Sequence, residues 1–135
     1  MSIISHTDNK IYLGWHDIEC LVDTLCTAIQ DHLTITSVHG VTRGGLIPAV
    51  MVSHKLNIPY VDTPTESTLI IDDICDSGKT LKDANAVSTA VLHHKPHTSC
   101  YTPTLWSATC DGDEWIIYPW ELEGSMTIQD YKLDI

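Results

Sequence analysis

Leu69-Ile70-Ile71, led in by Thr68, is a short apolar run that stops abruptly at two acids, Asp72-Asp73. A brief run without polar alternation is the pattern of a strand covered on both faces, as in a parallel sheet. Gly78 then marks a turn, and Leu81, Ala84, Val87 and Val91 at helical spacing predict a helix from Lys79 to about His93. A strand, a glycine turn and a helix in succession require the helix to pack back on the sheet, which implies an α/β domain with a mainly parallel sheet. The remaining chain alternates in the same way. Ile18, Leu21, Val22, Leu25, Ala28 and Ile29 give residues 17–31 an amphipathic helix. Residues 36–41 read as a strand, Thr42-Arg43-Gly44-Gly45 as a break, and the stretch to Leu56 as a helix with Pro48 in its first turn. Tyr60-Val61, Thr98–Thr102 and Trp115–Tyr118 read as extended segments. The 135 residues suit a single domain, residues 1–135, with no repeat or linker.

Composition narrows the function. The net charge is −11, with only seven Lys and Arg, so the chain repels nucleic acid and a nucleic-acid partner is not expected. No apolar run approaches the ~20 residues of a membrane span, and the first residues lack the apolar core of a secretory signal. The five cysteines form no CxxC pair, which suits reduced, buried thiols and a cytoplasmic location. With cations this scarce, the position of the single arginine, Arg43, inside a glycine-containing loop is informative.

Both breaks, 42–45 and 72–79, fall at the carboxyl ends of predicted strands, where ligands of such folds gather. A glycine turn entering a helix offers free N–H groups and a positive dipole end, which makes residues 76–80 a phosphate seat. Ser77 and Thr80 add hydroxyl donors. Gly78-Lys79-Thr80 matches the end of a nucleotide P-loop, but Asp73 stands where that motif needs its first glycine. Two carboxylates would repel a triphosphate, whereas they accept hydrogen bonds from hydroxyls. Asp72 and Asp73 ahead of a phosphate seat therefore fit a ribose 5-phosphate.

The segment Ile70–Thr80 closely resembles the signature of type I phosphoribosyltransferases: an apolar strand, two acids, then D-[ST]-G-x-[ST]. Val41–Pro48 resembles that family's pyrophosphate loop, and Glu114–Glu121 the purine-binding segment of its xanthine–guanine members. The resemblance implies the type I phosphoribosyltransferase fold with a short carboxy-terminal hood segment. It implies transfer of phosphoribose from 5-phosphoribosyl-1-pyrophosphate (PRPP) to xanthine, guanine or hypoxanthine with Mg²⁺, giving a nucleoside monophosphate and pyrophosphate. Residue by residue, Arg43 and Gly44 would grip the pyrophosphate beside a cis peptide joining Thr42 and Arg43. Asp72, Asp73, Asp76, Ser77, Gly78, Lys79 and Thr80 would hold PRPP, with Asp73 also meeting the metal and Asp76 facing N7 of the base as the catalytic group. Trp115 would cover the purine face and the Ile116 backbone would meet its edge, while Trp120 reads as core. A homodimer or homotetramer is the family expectation.

Two departures from the family pattern stand out. Pro64-Thr65-Glu66-Ser67 replaces a long mobile lid, and no lysine follows the predicted strand at 98–102, where purine enzymes place one to meet the 6-oxo group. Thr102 or Thr104 is the nearest substitute. The same scaffold could thus serve as a donor or nucleotide-binding protein without efficient transfer. His93, His94 and His97 read as a solvated helix end, Asp111–Glu114 as a plain turn, and Asp17, beside His16 and Cys20, as an N-cap or first-turn acid.

Overall fold

The computed structural model describes residues 3–5 and 9–121. Its main sheet contains β3 (Ser37–Gly40), β4 (Thr68–Cys75), β5 (Ser88–His94) and β6 (Leu105–Thr109), all parallel and in that spatial order. Helices α1 (Trp15–His32) and α2 (Leu46–Leu56) cover one face. Ile18, Val22, Leu25 and Ile29 of α1 join Leu69, Ile71, Ala90 and Leu92 in the larger core. Ile70 and Val91 point the other way and meet Leu81 of α3 (Lys79–Ala84). This alternation is the period of two that a covered strand imposes. Asp17 sits in the first turn of α1, where its carboxylate accepts the Gly14 N–H at 2.8 Å, a bond that holds its pKa below the usual carboxylate value.

The expected helix to His93 is not formed. Helix α3 ends after six residues, at Asn85 in the left-handed conformation with φ 50°, and Ser88–His94 is instead a central strand buried at every position. Four apolar residues at helical spacing misled the periodicity, and Val87, one of them, is 74% exposed. Residues 98–102 in turn form a loop, not a strand, and the next strand is Leu105–Thr109.

The chain changes direction at β3. After β3 it passes through α2 to Tyr60, which bridges Val38 on the outer side of the sheet. After β4 it passes through α3 to β5 on the inner side. Such a switch parts the two connections and opens a crevice at the carboxyl ends of β3 and β4. A smaller sheet, β1 (Ile3–Ser5), β2 (Lys10–Tyr12) and β7 (Trp115–Ile117), completes the fold. The hood is therefore only partly carboxy-terminal: β7 lies parallel to β2, an amino-terminal strand. Residues 122–135 lie outside the described residues. Among the described residues, no helix is long and apolar enough to cross a membrane.

His93 and His94 are buried strand residues, not a solvated helix end. His93 Nδ1 lies 2.8 Å from the Tyr118 hydroxyl, which donates to the Asp73 carbonyl at 3.1 Å. With that hydroxyl hydrogen committed, the imidazole donates from Nδ1. Burial, with Lys95 adding to it, lowers the His93 pKa to about 4. The folded state thus binds fewer protons than the unfolded chain between about pH 6.5 and 4, and the stability His93 provides above that window is lost as pH falls through it. The full difference is about 3 kcal/mol. Asp73 and Glu121 oppose it, because burial raises both carboxyls. Urea unfolding at pH 7 and pH 4.5 should therefore show a smaller acid loss in His93→Asn than in the parent; equal losses would remove His93 as the cause.

Candidate functional site

Asp72 to Thr80 run from the end of β4 into α3, so strand and helix hold the segment at both ends. Gly78 has φ +81°, a left-handed conformation that favours glycine. A Cβ there would stand 2.5 Å from Ser99 Oγ and 2.9 Å from Tyr101 Cβ, so the 95–101 loop also requires glycine. That loop is fastened to the segment at several points. Lys95 N–H donates to Cys75 O at 3.0 Å, Cys100 N–H to Ser77 O at 2.8 Å, and Thr98 Oγ1 to Asp76 Oδ1 at 2.7 Å. Ser77 and Lys79 are exposed, and Asp76 and Thr80 half-buried.

Asp73 joins the two loops of the crevice. A Cβ on Gly44 would collide with its carboxylate, so the glycine admits Asp73 against the 42–45 turn. Asp73 Oδ1 accepts the Ile74 N–H and Asp72 Oδ1 accepts the Asp73 N–H, each at 2.8 Å. Removal from water raises the Asp73 carboxyl above the usual range, against its contact with the Asp72 side chain and the Ile74 N–H bond, which lower it. The Thr42–Arg43 peptide is cis. Gly45 N–H donates to Val41 O at 2.8 Å, tightening the turn that presents the exposed Arg43. A cavity of about 600 Å³ lies beside the crevice and has Thr42 and Thr80 in its wall. Where the sequence has four residues in place of a long lid, Thr65–Thr68 form a bonded turn: Thr68 Oγ1 accepts the Thr65 N–H at 2.9 Å and meets Ser37 Oγ at 2.8 Å.

Trp115 and Ile116 lie on β7. Trp115 is 48% exposed and Ile116 is buried. Trp120 stacks on Tyr118, with centroids 4.9 Å apart, and packs against the main core, as the sequence suggested. A lysine does follow a strand at this side of the crevice: Lys95. Because β5 ends at His94, Lys95 directly follows a central strand, and its Nζ donates to Glu114 O at 2.9 Å, next to Trp115. It was passed over because the strand was expected at 98–102, ten residues after Ser88, where β5 begins. Thr104 is ruled out as a substitute: it exchanges hydrogen bonds with Thr89 at the amino end of the sheet, its hydroxyl accepting the Thr89 N–H at 3.0 Å. His97 lies 3.7 Å from Asp113, and no group of three His, Cys, Asp or Glu that could hold a metal occurs among the described residues.

Comparison with known proteins agrees with this fold. No protein-family model matches the chain. The xanthine-guanine phosphoribosyltransferase of Cereibacter sphaeroides is 30% identical over 116 residues, covering 64% of this chain and 69% of that protein. The enzyme of the same name from Idiomarina loihiensis is 24% identical over 146 aligned positions, covering 87% and 90%. The crystal structure of a purine phosphoribosyltransferase from Pyrococcus horikoshii superposes with a TM-score of 0.75 at 25% identity, covering 89% of this chain and 99% of that one. With a relative this similar along more than two thirds of its length, and a fold shared almost end to end, the chain belongs to the type I phosphoribosyltransferase family.

Proposed function

We propose that the chain transfers phosphoribose from PRPP to a 6-oxopurine base, releasing pyrophosphate and forming the nucleoside monophosphate, in cytoplasmic purine salvage. The observation that carries this reading is Lys95. It follows β5, is tied to the Asp76 loop through Cys75 O, and reaches Glu114 O beside the exposed Trp115. A flat base resting on Trp115 can thus present its 6-oxo group to an ammonium and N7 to Asp76.

In this reading residues 76–80 seat the 5-phosphate and Asp72 and Asp73 accept the ribose hydroxyls. Arg43 and the backbone at Gly44 hold the pyrophosphate. The Ile116 backbone meets the edge of the base. Transfer builds positive charge on the sugar, so the chain's task is to position the base and stabilise the departing pyrophosphate. Asp76 takes or holds the proton at N7. The residues fit Mg²⁺: with no three-residue protein cage among the described residues, Asp73 would share the ion with donor oxygens and water, as this ion usually requires. When bound, the ion neutralises charge on the leaving pyrophosphate. A homodimer or homotetramer would let a neighbouring subunit cover the crevice that the short 64–67 turn leaves open.

Arg43→Ala should weaken PRPP binding about tenfold while sparing nucleoside monophosphates, since one charge-assisted contact to pyrophosphate is lost. Equal losses for both ligands in calorimetry would remove the assignment. The reading itself is tested by incubating the purified chain with PRPP, Mg²⁺ and each purine base. Nucleotide from xanthine, guanine or hypoxanthine supports it, and no product from any of them sinks it. The bonded 65–68 turn favours one alternative, a PRPP or nucleotide-binding protein, for which tight binding without turnover would be the result.

A further inference from the structure

We propose that Thr98 is a positioning residue that holds the Asp76 carboxylate toward the base. Its hydroxyl reaches three acceptors: Asp76 Oδ1 at 2.7 Å, Asp76 O at 3.1 Å and Lys95 O at 3.4 Å. One hydroxyl hydrogen serves one acceptor at a time, and the shortest contact is to the carboxylate, the strongest kind of acceptor of the three. Asp76 is half-buried, and this bond fixes one carboxylate oxygen while leaving Oδ2 for a ligand. The backbone places Thr98 without help from its side chain. Lys95 O accepts the N–H groups of Thr98 at 3.3 Å and Ser99 at 3.1 Å, and Cys100 N–H is bound to Ser77 O. Thr98 is itself exposed, so losing its hydroxyl leaves the core untouched.

The assignment rests on the purine-nucleotide reading of the site and extends it to a residue outside the signature segments. A carboxylate free to rotate must be ordered when the base binds, which costs affinity for ligands carrying a base and none for ligands lacking one.

Calorimetry with guanosine 5′-monophosphate and with ribose 5-phosphate tests it. Thr98→Val should weaken the nucleotide about tenfold, as for one lost charged hydrogen bond, and leave ribose 5-phosphate within about twofold of the parent. Thr98→Ser should restore nucleotide binding. Parallel losses for both ligands would mean that Thr98 merely shapes the phosphate seat, and no loss for either would mean that it does nothing. Either outcome overturns the proposal, as does failure of Ser to rescue. A parent that binds ribose 5-phosphate but no nucleotide would instead defeat the purine reading, and this assignment with it.

Discussion

The double replacement Asp72→Asn and Asp73→Asn is expected to weaken PRPP binding about a hundredfold or more, because two charge-assisted acceptors for the ribose hydroxyls are lost together. Folding should not suffer. Asp73 is held where its charge is poorly solvated, so its folded pKa lies above its unfolded one. The stability it offers is then present at low pH and declines as pH rises through the folded value, and at neutral pH the ionised carboxylate is a cost. An amide of the same shape removes that cost and can still accept the Ile74 N–H. Calorimetry with Mg²⁺ and a thermal melt at pH 7 check both halves. Unchanged affinity in a variant that melts no earlier would take the ribose away from these acids.

Lys95→Met should separate 6-oxopurines from adenine. Methionine preserves the length and apolar stem of a side chain that is only 6% exposed, so packing is kept while the ammonium is lost. One charge-assisted hydrogen bond to the 6-oxo oxygen, worth roughly 2 kcal/mol, corresponds to about a thirtyfold loss for guanosine 5′-monophosphate. Adenosine 5′-monophosphate has no oxo group to lose and should change little. Competition binding of the two nucleotides measures the ratio, and an equal effect on both would reduce Lys95 to a strut beneath Glu114.

The parts of the site legible in the sequence are those written in contiguous residues. Asp72 to Thr80 show their local structure because strand, acids, glycine and helix start follow one another without interruption, and the same holds for the break at Thr42 to Gly45. The base side was harder to read. Ser88–His94 is a short strand buried on both faces, and apolar spacing alone does not separate such a strand from a helix. Placing a helix there moved the next strand too late and hid Lys95, whose position has meaning only relative to the end of β5. It also turned His93 and His94 into surface residues. Thr98 carries no local signal, since its partner, Asp76, is brought to it only by the folded loop. Of the small sheet only the strand at Trp115 was legible; its pairing with β2 was not, because β2 and β7 come from opposite ends of the described chain.

The account is tested most directly by a structure of the chain with guanosine 5′-monophosphate bound. It predicts the phosphate on residues 76–80, the ribose hydroxyls on Asp72 and Asp73, the ring against Trp115, the 6-oxo oxygen within hydrogen-bonding distance of Lys95 Nζ and N7 facing Asp76. A nucleotide seated elsewhere, or one whose phosphate occupies residues 76–80 while its base points away from Lys95 and Trp115, would contradict it.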